Sequence, residues 1–221
     1  EHRNQLFVHV HGGAWVINGG KAGTAEAVLI ASRLGIPVLS IDYRMPPDHP
    51  APAAVDDIVS VWREVIKNKK PSRIALGGTS AGANLTLAST LRMRELRLPL
   101  PAALMVGTPA VDLAKVGDSR FLNDGVDHGL AWDGLVSQAA AIYAGKQALD
   151  DPHLSPIYAD VTGFPPTYLI SGTRDLLLSD TVAMHRKLRR VGVKADLHVY
   201  EGMAHADYAK YAGKVPESDE H

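Results

Sequence analysis

The sequence predicts an α/β fold in which a mostly parallel, doubly wound sheet is flanked by helices. Short aliphatic runs alternate with helical stretches along the chain, which is the order that a parallel sheet requires. Most of these runs are continuously apolar rather than alternating, as expected for strands that helices cover on both faces. The predicted strands are residues 6–10, 37–42, 73–77, 102–106, 168–171 and 195–200.

The predicted helices lie between these strands, at residues 22–34, 52–67, 83–97 and 180–191. Pro52 suits a first helical turn, where its missing N–H would have no partner. Ser179 can cap the last helix and Gly192 can end it. The alternation stops over residues 112–156, which contain one predicted helix at 132–143. We interpret 112–156 as a cap-like insertion in a single domain that covers residues 1–221.

Composition excludes several classes of function. The chain has 221 residues, 46% of them hydrophobic and 21% charged, as is ordinary for a globular protein. Its formal net charge of −1 gives no basic face for nucleic acid. The absence of cysteine excludes disulfides, thiolate metal sites and a cysteine nucleophile, and no apolar run predicts a membrane span. The chain opens without Met, so we expect the natural N-terminus to lie upstream; we favour a cytoplasmic location.

Residues 78–82 read Gly-Thr-Ser-Ala-Gly, a G-x-S-x-G motif between a predicted strand and a predicted helix. In this context the serine, Ser80, lies on a sharp turn that exposes its hydroxyl at a helix N-terminus. Gly78 and Gly82 leave room for the neighbouring chain. The motif therefore predicts a serine nucleophile, with a Gly-Ser turn that merely caps a buried helix as the alternative.

A serine nucleophile needs a base, and the base needs an acid to orient it. In this fold class the acid and then the histidine should follow the serine, each on a loop after a strand. Asp175 and His205 meet that requirement, and the carboxyl ends of the strands would bring them together. The competing residues, Asp160, Asp180, His185 and His198, fit loop, helix or strand positions better.

Donors for a tetrahedral oxyanion are predicted in His-Gly-Gly-Ala-Trp at residues 11–15, directly after the first strand. Consecutive small residues in this segment let backbone N–H groups approach a substrate oxygen, and the N–H of Ala81 would be a further donor. A tight Gly-Gly turn without catalytic meaning is the alternative.

No metal or cofactor site is predicted. His9 and His11 share one strand face, but no third ligand accompanies them. The glycine-rich stretch at residues 19–22 lacks the residues of a phosphate-binding loop.

These motifs resemble those of the hormone-sensitive-lipase family, the bacterial type IV carboxylesterases with the α/β-hydrolase fold. The resemblance covers nearly the whole chain and rests on four motifs in the family's order, at residues 11–15, 42–50, 78–82 and 202–205. It implies Ser80 as nucleophile, Asp175 as acid and His205 as base, with an oxyanion hole formed by the N–H groups of Gly12, Gly13, Ala14 and Ala81. Thr79 matches the branch of the family that has Thr before the nucleophile.

The expected function is hydrolysis of short- to medium-chain carboxylic esters through an acyl-enzyme, with a small ester as partner and a homodimer left open. The alternatives are an arylformamidase or amidase with the same triad, or a non-catalytic receptor on the hydrolase fold. Family members carry an N-terminal cap and a C-terminal helix that this sequence lacks, so we expect a longer natural protein. The acyl pocket is expected to involve Trp15, Phe121, Trp132 and Tyr208.

Overall fold

The computed structural model describes residues 4–114 and 117–214. They form a six-stranded sheet in which every paired strand is parallel and the order is β2-β1-β3-β4-β5-β6. This arrangement confirms the predicted fold class. The strands are β1 (Leu6–Val10), β2 (Val38–Ile41), β3 (Ile74–Thr79), β4 (Ala103–Gly107), β5 (Thr167–Gly172) and β6 (Ala195–Tyr200).

The described helices are α1 (Ala25–Leu34), α2 (Ala53–Asn68), α3 (Ala81–Glu95), α4 (Ser119–Leu122), α5 (Ser137–Ala144), α6 (Leu178–Arg190) and α7 (Asp207–Lys210). Three predicted helix starts were wrong. Residues 22–24 belong to a 3₁₀ turn, Gly20–Thr24, that precedes α1. α3 begins at Ala81 rather than residue 83, because the turn at Ser80 leads directly into the helix despite the poor helix propensity of Gly82. α6 begins at Leu178 rather than residue 180, so Ser179 lies within the helix and does not cap it.

The core forms where α3 lies against the sheet. α3 contacts β1, β3 and β4, and it also packs against α2. Nearly every α3 residue is therefore buried, whereas α2 buries one apolar face that includes Trp62. The Trp62 indole N–H also donates to the Pro99 carbonyl at 2.9 Å, so the α2 aromatic satisfies its polar atom while it fills the core.

The described residues of the insertion at 112–156 contain the short helices α4 and α5, and polar contacts attach them to the rest of the domain. Asp180, in the first turn of α6 as predicted, is buried and accepts the Arg120 guanidinium at 2.8 Å and the Val111 N–H at 2.8 Å. Arg120 also lies 3.7 Å from the ring centroid of Trp132, a cation–π contact. The predicted helix at 132–143 is a π-type turn followed by α5. Within the described residues, no helix has the length and apolar character to cross a bilayer.

Candidate active site

Ser80 lies between the last residue of β3 and the first residue of α3. Its backbone has φ 61° and ψ −122°, a conformation that costs a non-glycine residue energy. The Ser80 N–H donates to the Gly107 carbonyl at 2.8 Å, and the Ser80 carbonyl accepts the N–H groups of Ala83 and Asn84. The turn is thus held on both sides of the serine, as the motif predicted.

Glycine at residues 78 and 82 is required by the close approach of β1. A Cβ at Gly78 would lie 1.9 Å from the Val10 carbonyl oxygen, and one at Gly82 would lie 2.0 Å from the same atom. A Cβ at Gly12 would lie 2.7 Å from the Thr79 carbonyl oxygen. The segment after β1 therefore passes directly against the Ser80 turn.

Asp175 and His205 form a buried pair. The His205 Nδ1 lies 3.0 Å from the Asp175 Oδ1. Asp175 also accepts the Leu177 N–H at 2.9 Å and the Ser171 hydroxyl at 2.6 Å, so its carboxylate is held in one orientation. With Nδ1–H donating to the carboxylate, the imidazole keeps Nε2 as an acceptor.

The structure brings the predicted residues to one edge of the sheet. Ser80 follows β3, Asp175 follows β5 and His205 follows β6, and the carboxyl ends of parallel strands lie at the same edge. Among the described residues, the Ser80 hydroxyl makes no hydrogen bond and the His205 Nε2 has no hydrogen-bond partner. Such bonds are often formed only when substrate is bound.

The segment at residues 11–15 adopts an uncommon backbone. Gly13, Ala14 and Trp15 have φ of 125°, 47° and 64°. The Gly13 carbonyl accepts the N–H groups of residues 16 and 17, which closes the turn. In the described part of the chain, no hydrogen bond uses the backbone N–H groups of Gly12, Gly13, Ala14 or Ala81.

Tyr43 holds the start of this turn through two contacts with His11. Its hydroxyl donates to the His11 carbonyl at 2.9 Å, and its ring stacks on the His11 ring at 4.1 Å between centroids. The His11 ring donates from Nδ1 to the Gly12 carbonyl at 2.8 Å. Burial lowers the pKa of His11 below its usual value, which keeps the imidazole neutral in this position.

A polar network behind Ser80 was not predicted. The Thr79 hydroxyl donates to the Glu26 carboxylate and lies 2.8 Å from the Tyr208 hydroxyl. The other Glu26 oxygen lies 3.0 Å from the His9 Nε2. Burial raises the pKa of Tyr208 well above its usual value. His9 is thus engaged in a hydrogen-bonded core network.

Asp127 is a further unpredicted residue at the site. Ligand-type atoms of Asp127, Asp175 and His205 lie within 4.8 Å of one another, a spacing that could hold a metal ion. In the structure, however, Asp175 and His205 bond to each other and both carboxylate oxygens of Asp127 accept backbone N–H groups. This donor set fits a hydrogen-bonded cluster better than a cation site.

The four residues expected at the acyl pocket lie in different surroundings. Trp15 is 1% exposed, stacks on Tyr143 and donates to the Asn84 side chain at 3.2 Å. Tyr208 is buried, Trp132 is half-buried and Phe121 is 70% exposed. Their role in a pocket stays a prediction.

Comparison with known proteins identifies the family. A model of the α/β hydrolase fold matches residues 7–209. A solved esterase of the bacterial hormone-sensitive lipase family superposes with a TM-score of 0.93 at 36% identity, covering 99% of this chain and 73% of that one. The chain belongs to the hormone-sensitive-lipase family of α/β hydrolases. The predicted family resemblance is therefore confirmed.

Two other similar proteins are also named esterases. An esterase of Acinetobacter venetianus is 33% identical over 202 residues, which are 90% of this chain and 66% of the relative. The solved esterase E25 superposes with a TM-score of 0.95 at 54% identity, covering 98% of this chain and 66% of that one. The chain thus spans about two thirds of the length of these two relatives.

Proposed function

We propose that this chain hydrolyses carboxylic esters, with Ser80 as nucleophile, His205 as base and Asp175 as the acid that orients the base. The observation that carries the proposal is the pairing of His205 with Asp175 at 3.0 Å, at the sheet edge where Ser80 lies on a strained turn. The names of the esterase relatives support the same reaction class.

The proposed reaction has two steps. Because Nδ1–H of His205 donates to Asp175, Nε2 can take the Ser80 proton as the serine oxygen attacks the ester carbonyl. The imidazolium then protonates the leaving alcohol, and an acyl-enzyme remains on Ser80. A water molecule deprotonated by His205 attacks the acyl carbonyl, which releases the acid and returns the proton to Ser80.

The backbone N–H groups of Gly12, Gly13, Ala14 and Ala81 would stabilise the oxyanion of each tetrahedral intermediate. They donate no hydrogen bond in the described part of the chain. No protein hydrogen bond therefore has to break before they bind the oxyanion. Donors fixed before the reaction are the most effective form of such stabilisation. We propose short- or medium-chain acyl esters as substrates, with the insertion as one wall of the pocket.

Substitution of Ser80 by Ala tests this function. We expect p-nitrophenyl acetate turnover by the purified protein to fall at least about a thousandfold, because the nucleophile is lost. Ser89→Ala is the matched control, since Ser89 is a buried serine of α3 whose hydroxyl has no hydrogen-bond partner in the described structure. Turnover by Ser80→Ala at the wild-type rate would contradict the proposal.

Two further assays separate the alternatives. Comparing p-nitrophenyl esters with N-formyl substrates distinguishes an esterase from an amidase with the same triad. Labelling by a fluorescent organophosphonate distinguishes an enzyme from a receptor, because only an activated serine reacts readily. We expect preferential ester turnover and labelling of wild type that His205→Ala largely abolishes.

A further inference from the structure

Asp127 is a buried acidic residue of the insertion that the proposed reaction does not use. It is 5% exposed and makes no side-chain ion pair in the described part of the chain. Its carboxylate instead accepts four backbone N–H groups, those of Gly129 at 2.8 Å, Leu130 at 3.1 Å, Leu176 at 2.8 Å and His205 at 3.4 Å. Two of the four belong to its own turn, and two belong to the loops that carry the acid and the base.

The peptide group between Asp175 and Leu176 is held from both sides. Its N–H donates to the Asp127 Oδ2 at 2.8 Å. Its carbonyl accepts the Asn123 side-chain amide at 2.9 Å. Asn123 and Asp127 are themselves joined, because the Asp127 N–H donates to the Asn123 carbonyl at 2.9 Å. One short turn of the insertion thus fixes the peptide plane that carries the acid.

The same carboxylate reaches the backbone of the base. The Asp127 Oδ1 accepts the His205 N–H, and the Lys210 ammonium donates to the His205 carbonyl at 2.8 Å. The loops after β5 and β6 are far apart in sequence, so their separation depends on contacts of this kind. A displacement of about 1 Å between reacting groups is enough to lower a rate about a hundredfold.

We propose that Asp127 is a positioning residue that sets the distance and orientation between Asp175 and His205, with Asn123 as its support. The inference rests on the proposed function, because it assumes that this pair activates Ser80. Asp127 acts through the backbone of both residues and does not touch the reacting atoms. A short carboxylate suits the role, since it has few rotamers to lose and two oxygens that accept in different directions.

Asp127→Asn is the sharpest variant. It keeps the size of the side chain but turns one oxygen into an N–H₂ donor, which must face either the Leu176 N–H or the N–H groups on the other side. We expect kcat for p-nitrophenyl acetate to fall about a hundredfold while KM changes little, because binding groups are untouched. Asn123→Ala should lower kcat roughly tenfold, since it removes one hydrogen bond to the same peptide.

Asp180→Asn is the matched control. Asp180 is also buried and also accepts backbone N–H groups, but it holds Arg120 rather than the triad loops. We expect Asp180→Asn to lower the melting temperature as much as Asp127→Asn does, with kcat near that of wild type. Comparing the two variants separates a loss of positioning from a general loss of stability.

A spectroscopic readout reports the pair directly. The His205 Nδ1 proton, shared with Asp175, should give a proton resonance far downfield of the amide region. We expect this resonance to shift upfield or vanish in Asp127→Asn and to persist in Asp180→Asn. An unchanged resonance together with unchanged kcat in Asp127→Asn would overturn the inference. Wild type that neither turns over esters nor reacts with an organophosphonate would instead overturn the proposed function.

Discussion

Ser80 is held by the regular sheet, whereas Asp175 and His205 are held by an irregular segment. The Ser80 turn depends on two glycines that let the end of β1 pass within contact distance. The acid–base pair depends on polar side chains, Asp127 and Asn123, that bond to the loops after β5 and β6. The position of Ser80 should therefore be sensitive to added side-chain volume at the neighbouring glycines. The geometry of the acid–base pair should be sensitive to the loss of single hydrogen bonds.

The largest effect is expected on the sheet side, at Gly78. Gly78→Ala would place a methyl group 1.9 Å from the Val10 carbonyl oxygen, and backbone on both sides leaves no room to relax. We expect a loss of more than about 4 kcal/mol in the free energy of unfolding, or no folded protein at all. Urea denaturation, or the yield of folded protein, measures it.

Gly125→Ala is the control for this prediction. Gly125, unlike Gly78, has a positive φ, at 72°, and nothing lies within 4 Å of its added Cβ. The only cost is then that alanine disfavours the left-handed backbone conformation, which lowers the free energy of unfolding by roughly 1–2 kcal/mol. Equal effects of the two substitutions would show that close packing of β1 against the turn is not what requires glycine.

In the insertion, the largest loss of stability is expected from substitution of Arg120. Arg120→Met removes the cation from a buried pair and leaves the Asp180 carboxylate with backbone donors alone. Losing one partner of such a pair costs about 3–5 kcal/mol in the free energy of unfolding. Arg44→Met is the control, because the Arg44–Asp57 pair is exposed and screened by water, so its loss should be much smaller. Similar urea midpoints for the two variants would contradict this account.

The loss of stability in Arg120→Met should depend on pH. Burial raises the pKa of Asp180 to about 6, so the folded state holds this proton more tightly than the unfolded chain does. Stability from that protonation is present at low pH and is lost as the pH rises through the folded pKa. In Arg120→Met the pKa of Asp180 should rise further, because the Arg120 cation that lowers it is gone. We expect the difference in melting temperature from wild type to be smaller at acidic than at alkaline pH.

A smaller effect is expected where the two regions meet, at Asn84 of α3. Its amide donates to the carbonyls of Ala110 and Leu154 at 2.7 and 2.8 Å, and its oxygen accepts the Trp15 indole N–H. Asn84→Leu should cost about 2–4 kcal/mol, because buried polar groups lose their partners. Thr90→Val, which removes one bond within α3, should cost less; the reverse order of urea midpoints would count against a linking role for Asn84.

The smallest effect is expected at His11. Burial lowers its pKa, so its neutral form is favoured in the folded state. The stability that this contributes is complete above the unfolded value of 6.5 and is lost as the pH falls through the folded pKa. His11→Phe, which can keep the stacking on Tyr43, should flatten the acid side of the melting-temperature profile. An unchanged acid slope would mean that other groups cause it.

The sheet and the candidate triad could be predicted because their signals are local. Residues 6–10 and 195–200 were predicted as strands with the observed bounds. The first is a mostly apolar run, which marks a buried parallel strand, whereas β6 is an edge strand in which Asp196 and His198 alternate with apolar residues. Ser80 was found from small neighbours on either side. The chain order of acid and base then pointed to Asp175 and His205, whose catalytic roles stay a prediction.

The polar supports could not be predicted, because nothing in their local sequence distinguishes them. Asp127 and Asn123 lie in a segment without periodicity, where Asp and Asn are ordinary turn residues. Glu26 lies early in a helix, where an acidic residue needs no further explanation. Their partners are distant in sequence, so only the folded chain shows that these side chains meet the site.

The central claim is that Ser80, His205 and Asp175 act together at one edge of the sheet. A crystal structure of the protein after reaction with an organophosphonate tests it most directly. We expect the phosphorus on the Ser80 Oγ, a phosphonyl oxygen facing the N–H groups of Gly12, Gly13 and Ala81, and the His205 Nε2 within hydrogen-bond distance of the adduct. An adduct on another residue, or an imidazole turned away from Ser80, would contradict the account.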